Sequence, residues 1–449
     1  MVTFIYGGLH RLQFSDGWSE MLRLGRSRFG TGVVKILGGS VVGQGLVVLC
    51  SPLLTRMYAP ADFGVLVVFT SIAAILGAVC TLRLEAAIPL PRRDVHAGWI
   101  AWTAIDIAIV STTMLLAIGA LAARPISIAL GAPELSRFWW LVSLTVLAIG
   151  VGQVFAAWMV RGQHYMSLGR RNVATGVGQV FVQLSLGALG WTPIGLLLGF
   201  LAGRVSSIGV GMATTNLIRQ RRPRRREAVS VLGRYRCFPL IASWSALLNT
   251  VGSQAPLLLI SACYGQVAAG LIGLTARVLA APVAIVGQSV AHVYLGEASV
   301  VNRMGTPELR PLVQRIVFRL GLMGLFPALV LAGFGPQLFE LVFGGEWSAS
   351  GYYAQWLSIG YLAEFAVAPI SHTLPLLERQ GVQFAWDLLR LCLTLGSPMA
   401  CFALRLPIDA AVAALSASYV ISYGILFFYC SFAAAKADGR TLAQKEEKF

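Results

Sequence analysis

The chain reads as an all-α polytopic membrane protein of about twelve transmembrane helices. They form two parallel six-helix lobes around a central cavity, with both termini in the cytoplasm. Three observations predict this. Composition is 57% apolar and 12% charged, with a mean hydropathy of +0.73, more apolar than a soluble domain of this size carries. Uncharged runs such as Phe138 to Val160, Val173 to Gly203 and Ala410 to Ala435 are each long enough to cross a hydrocarbon core of about 30 Å. Lys and Arg alternate, rich then poor, between successive runs, which is the positive-inside pattern of a multi-pass chain. Hydrocarbon offers no partner to backbone groups, so only helices or a closed barrel can span it. Barrel strands alternate over short segments, whereas these runs are continuous.

The N-terminal segment, residues 1–32, has no continuous apolar core and so does not read as a cleavable signal. It mixes Arg11, Arg23, Arg26 and Arg28 with Leu12, Phe14, Trp18 and Leu22. That pattern suits an amphipathic helix on the inner surface, or equally an over-extended start with Met21 as the true first residue. The N-lobe, 33–218, holds spans near 33–54, 63–82, 99–122, 138–160, 173–191 and 195–217. A basic cytoplasmic linker, 219–236, follows. The C-lobe, 237–435, holds spans near 238–262, 269–293, 316–335, 354–376, 382–404 and 410–434, before a cytoplasmic tail, 436–449. With this assignment 26 Lys and Arg fall on the inner side and 4 (Arg56, Arg124, Arg137 and Arg405) on the outer side. The net charge of +16 is then topological, and no nucleic-acid partner is expected. The eight Arg between Arg219 and Arg236 anchor the junction of the halves and could also grip anionic lipid headgroups. Pro282 and Pro327 should kink spans eight and nine. Pro336 to Tyr353 reads as a half-buried outer surface helix ending in Gly344-Gly345.

An internal repeat supports the two halves. Tyr58 and Gly64 in the turn after span one align with Tyr264 and Gly270 at a single offset of 206 residues. Parallel repeats of this kind are a transporter device, because two bundles that rock against each other leave a cavity between them. Enzyme chemistry finds little purchase. The seven Cys and five His are isolated, so neither disulfides nor a metal is expected. No nucleotide fingerprint or Ser/His/Asp set is present, and no loop is long enough to fold as the catalytic domain of a membrane polymerase or ligase.

Several segments resemble one family. Pro52-Leu-Leu-Thr-Arg56-Met-Tyr58-Ala-Pro60-Ala-Asp62-Phe63-Gly64 looks like the first inter-helix loop of polysaccharide-biosynthesis flippases. Thr81-Leu-Arg83-Leu-Glu85 with Pro91 resembles the end of their second helix. Phe238-Pro239 with Asn249, Arg277 with Pro282, and Phe343-Gly-Gly-Glu-Trp347 with Gly351 are similar to their later helices and outer loop. The resemblance is to the O-antigen and exopolysaccharide type of oligosaccharide-lipid flippases, within the multidrug, oligosaccharidyl-lipid and polysaccharide exporter superfamily. It implies a V-shaped bundle in the bacterial cytoplasmic (inner) membrane. It also implies a cargo, polyprenyl-pyrophosphate-linked oligosaccharide, passed from inner to outer leaflet, and a polysaccharide polymerase and membrane lipids as further partners. A multidrug or peptidoglycan-precursor exporter of the same superfamily is the alternative.

A pyrophosphate head crossing a hydrocarbon slab needs cations at mid-membrane depth, and the forked guanidinium suits phosphate best. An ionisable group at the bilayer centre costs at least ~2.5–3.5 kcal/mol, so those inside spans are candidates for function. Arg277 and Arg204 lie nearest mid-span and are expected to contact pyrophosphate, the competing role being an ion pair with Glu364 or Asp106. Arg83, where span two leaves the membrane, could meet an entering headgroup or simply snorkel. Its neighbour Glu85 is two residues away, so on a helix any pairing would be indirect. Asp387 and Arg390, three apart, are expected to form a structural ion pair. No cofactor is expected. Directional flipping draws on an H⁺ or Na⁺ gradient if it is coupled at all, with Glu364 the first and Asp106 the second carboxylate candidate.

Overall fold

The computed structural model describes residues 28–446 except Gly305, with side chains between Gly38 and Gly439 other than those of Ile285, His292 and Gly305. The amphipathic segment and the choice between Met1 and Met21 fall on residues outside that range. Among the described residues the secondary structure is helical throughout, with no strand.

Each expected span is a helix. In the N-lobe these are α1 (Arg28–Leu49, extended by a turn at Ser51–Leu54), α2 (Pro60–Gly77) and α3 (Asp94–Ala129). They are followed by α4 (Trp139–Arg161), α5 (Tyr165–Ala188) and α6 (Ile194–Thr214). The basic linker carries a short helix, Arg225–Arg234. A π-turn, Phe238–Ala242, leads into α7 (Ser243–Tyr264). Next come α8 (Gln266–Pro282), α9 (Leu309–Phe343), α10 (Ser348–Val367), α11 (Gln380–Ala403) and α12 (Ile408–Glu446). At 36 residues, α3 is about 54 Å long at 1.5 Å per residue and overshoots the hydrocarbon core. The last helix likewise runs on beyond residue 435 to Glu446.

Seven of these helices (α2, α3, α4, α6, α7, α9 and α12) are long and apolar enough by themselves to cross a membrane. The other five divide by what they hold. α1, α5 and α8 line a cavity between the lobes, while α10 and α11 contribute to a buried polar cluster in the C-lobe. α1 and α8 are apolar but shorter among the described residues, whereas α5, α10 and α11 are less hydropathic, the cost of an inward polar face.

Within the N-lobe α5 packs on α1 and α6, and α4 on α3 and α6; within the C-lobe α10 packs on α9 and α12, and α12 on α11. The lobes meet where α2 lies against α8 and α7. At its outer end the Trp347 indole donates to the carbonyl of Thr55 at 3.0 Å and stacks edge-on against Phe63 at 4.8 Å. The Gln266 amide donates to the Ala61 carbonyl at 2.9 Å.

Two local expectations are corrected. α2 ends at Gly77 rather than near 82, and the chain turns left-handed at Leu82 (φ 50°) and Arg83 (φ 58°). Pro282 does perturb span eight, where a π-turn, Val283–Gly287, separates α8 from the helix Gln288–Met304. In α9, however, the break falls at Phe334 (φ −124°, ψ 16°), ahead of Gly335-Pro336, and not at Pro327. Beyond it the segment is helical up to Gly344 at φ 103°.

Candidate functional site

A cavity of about 490 Å³ lies between α1, α5 and α6 of the N-lobe and α8 of the C-lobe. Glycines bring its walls together. A Cβ on Gly43 would lie 2.2 Å from the Asn172 carbonyl, and one on Gly176 would lie 2.2 Å from the Gly43 carbonyl. α1 and α5 therefore touch backbone to backbone, as small residues allow in a membrane, and the Asn172 amide bonds Ser40 Oγ at 2.7 Å. This close approach sets Gln44 of α1 beside Arg171 and Gln179 of α5 on the cavity wall.

Three arginines line this space: Arg171, whose Nη2 reaches toward Gly152 of α4, Arg204 and Arg277. Among the described residues no carboxylate lines it, and none of the three forms a salt bridge. Arg204 sits over the Phe200 ring at 4.6 Å and Arg277 over the Phe63 ring at 5.8 Å. Each keeps a buried nitrogen without a hydrogen-bond partner: Nε of Arg171, Nε of Arg204 and Nη1 of Arg277. Buried charges are ordinarily paired or hydrogen-bonded, and aromatic faces compensate a guanidinium only in part. Three cations without counter-charge among the described residues make a site complementary to a polyanion.

A second polar cluster lies inside the C-lobe. Tyr423 Oη of α12 donates to Glu364 Oε1 of α10 at 2.9 Å, and Arg390 Nη1 of α11 donates to Tyr423 Oη at 3.4 Å. Arg390 stacks over Trp386 at 5.0 Å, and the rings of Tyr361 and Tyr419 close the group. Glu364 is thus tied into its own lobe and is not the counter-ion of Arg204 or Arg277. The direct Asp387–Arg390 ion pair does not form. Arg390 is drawn to Tyr423 and Trp386, while Asp387 accepts a 3.4 Å bond from the Gln383 amide.

The remaining candidates stand apart. Asp106 is exposed on α3, away from the cavity lining. Arg83 does not line the arginine cavity either. It pairs directly with Glu85, Nη1 to Oε1 at 3.3 Å, because the left-handed turn at Leu82 and Arg83 removes the helical geometry that would have separated the two. Glu85 also accepts from Thr81 Oγ1 at 2.5 Å.

The family model for polysaccharide biosynthesis proteins matches residues 53–351. This chain belongs to that family. No curated protein matches the sequence. Among solved structures it is similar to the lipid II flippase MurJ in an inward closed conformation, with a TM-score of 0.66 at 12% identity over 92% of this chain and 91% of that one. It is also similar to an inward-facing multidrug resistance MATE family transporter of the MOP superfamily, with a TM-score of 0.59 at 13% identity over 90% and 95%. The MATE transporter VcmN of Vibrio cholerae gives 0.58 at 16% identity over 93% and 98%. At such identities the likeness is one of fold. This polysaccharide biosynthesis protein is accordingly a multi-pass membrane protein with the architecture of transporters and flippases.

The sequence does not single out Arg171: between two apolar runs and next to Arg170, it reads as one of the 26 basic residues of the inner side. α5 already begins at Tyr165, so the two arginines lie in its second turn and point to different faces. Arg170 is exposed and Arg171 turns inward. The available signal was Gly169 with Gly176, a small-residue face beside Arg171 that marks the packed side of the helix.

Proposed function

We propose that this protein flips a polyprenyl-pyrophosphate-linked oligosaccharide from the inner to the outer leaflet of the bacterial inner membrane by alternating access. The observation that carries the reading is the cluster of Arg171, Arg204 and Arg277, which line one interlobe cavity with no carboxylate in its lining among the described residues. Two phosphates bring several acceptor oxygens, and a fork of donors can hold two of them at once. The cavity draws walls from both lobes, so the head can be gripped at mid-depth while the hydrocarbon tail stays in lipid. The outer contacts of α2 with α8 close the far side in this state, and parting them would release the head outward. The chemistry disfavours a cationic drug, which three uncompensated guanidiniums would repel. A peptidoglycan precursor is the competing cargo, and a surface-polysaccharide polymerase would be the downstream partner.

Any ion coupling is assigned to Glu364, whose carboxylate meets Tyr423 and lies near Arg390. The test of the cargo is flipping in proteoliposomes of pyrophosphate-linked glycans of defined sugar, set against a lipid-linked peptidoglycan precursor and a cationic dye. Transport of the polysaccharide repeat unit alone supports the reading, and transport of the dye alone overturns it.

A further inference from the structure

We propose a second lipid site, separate from the arginine cavity: an apolar slot between the lobes that holds an acyl chain of an anionic inner-leaflet phospholipid, with Arg83 at the headgroup. The slot, about 370 Å³, lies between α2 and α3 on one side and the start of α7 on the other, where Leu76, Met114, Ile118, Trp244 and Leu247 face it. Its hydroxyls are already used by the backbone. Ser111 Oγ donates to the Cys80 carbonyl at 3.1 Å and Ser243 Oγ to the Phe238 carbonyl at 3.2 Å. The walls therefore offer a ligand no free hydroxyl, which fits hydrocarbon and not a sugar or phosphate. Met114 is 65% and Trp244 64% exposed, so the slot opens sideways to whatever surrounds the helices, which for a membrane protein is lipid. The lining runs from Ser111 to Ile118 and from Pro239 to Leu247, about 10–12 Å along the helix axes at 1.5 Å per residue.

Charge at the inner mouth selects the lipid. Leu82 and Arg83 are both left-handed non-glycine residues, a conformation that costs ~1–2 kcal/mol per residue. The turn places Leu82 in the slot and Arg83 beside it. Arg83 is 37% exposed on its side chain and keeps an Nε without a partner despite the Glu85 contact. The segment Leu84–Ala87 packs on the π-turn Phe238–Ala242, and Arg234 and Arg236 lead directly into that turn. A phosphate at this mouth would face a basic rim while its chain filled the slot.

Trp244 gives a direct readout through quenching by lipids brominated on their acyl chains. Its contribution is the difference in fluorescence between the wild type and Trp244→Phe, each reconstituted in phosphatidylcholine vesicles. Brominated phosphatidylglycerol should quench this component at a mole fraction about fivefold lower than brominated phosphatidylcholine, the factor for one basic side chain beside an anionic headgroup. Arg83→Gln should bring the two lipids level, and Arg83→Lys should keep the preference. Equal quenching by both lipids in the wild type, or a preference unchanged in Arg83→Gln, overturns the proposal. If Arg83→Gln does not accumulate, the wild-type preference is read in high salt, where it should fall; a preference indifferent to salt is likewise contrary.

Discussion

Gly64 and Gly270 stand at equivalent positions in the two halves, and each presses on the start of the other's helix. A Cβ on Gly64 would lie 1.9 Å from the Gln266 carbonyl, and one on Gly270 would lie 1.9 Å from the Pro60 carbonyl. The partners obey the same 206-residue offset as the glycines, so the contact is reciprocal, as at a two-fold interface. Either glycine replaced by Ala should force the outer seam apart, at the ~1–3 kcal/mol typical of overpacking. Spin labels on the outer ends of α2 and α8 should report a wider separation in both variants, by similar amounts. A widening in one variant alone would contradict the symmetry.

The inner loop after α2 hangs on one side chain. Arg161 gives Nε and Nη2 to Asp94 Oδ1 at 3.0 and 2.8 Å, and Nη1 to the carbonyls of Pro91 at 2.6 Å and Ile88 at 3.2 Å. Arg161→Ala should lower stability by ~1–3 kcal/mol, the cost of stranding part-buried acceptors. Arg161→Lys should recover only part, since an ammonium lacks the fork. Thermal unfolding in detergent checks both.

The linker helix has a pH-sensitive start. Glu227 accepts from the Arg224 backbone N–H at 2.6 Å and from Arg221 Nη2 at 2.6 Å. The Arg224 hydrogen bond first, and then Arg221, hold its carboxyl below the usual value. A depressed carboxylate contributes stability that is complete above its unfolded pKa and is lost as pH falls through the folded one. Amide protection in Arg225–Arg234 should therefore be constant around neutrality and decline only below about pH 4. Glu227→Gln should show that loss at pH 7.

How much of this was legible beforehand depended on what charge and hydropathy can report. Arg161, Arg204 and Arg277 announce themselves as ionisable groups near or inside apolar runs, and the alternation of basic loops marks the spans, although α3 and α9 run five to eight residues beyond the expected ends. Arg171 was hidden because a basic residue one turn inside a helix has the same local sequence as one in a loop. The direction it faces depends on the contact of α1 with α5 at Gly43 and Gly176, which is tertiary. The Arg83–Glu85 pair was misjudged for a related reason. Helical spacing was assumed where the backbone turns left-handed, and no glycine marks the turn. Asp387 and Arg390 have helical spacing that permits pairing, yet Tyr423, 33 residues further along, takes the guanidinium.

Glu364 gives a separable prediction about energy coupling. Its carboxylate contacts Tyr423 and shares its surroundings with Arg390, Tyr361 and Tyr419. Glu364→Gln should leave downhill scrambling of lipid-linked glycan intact but remove its dependence on an imposed H⁺ or Na⁺ gradient. Tyr423→Phe should weaken that dependence without abolishing it. Flux measured in proteoliposomes with and without each gradient distinguishes these outcomes, and an unchanged gradient response in Glu364→Gln would assign coupling elsewhere.

The most direct test of the arginine cavity is the flipping rate of a pyrophosphate-linked oligosaccharide in proteoliposomes containing wild type, Arg171→Ala, Arg204→Ala or Arg277→Ala at matched protein levels. Loss of one charge-assisted contact of ~1.5–3 kcal/mol should slow each variant about 10- to 100-fold, with Lys substitutions intermediate. Wild-type rates in all three Ala variants would show that the guanidiniums do not carry the cargo.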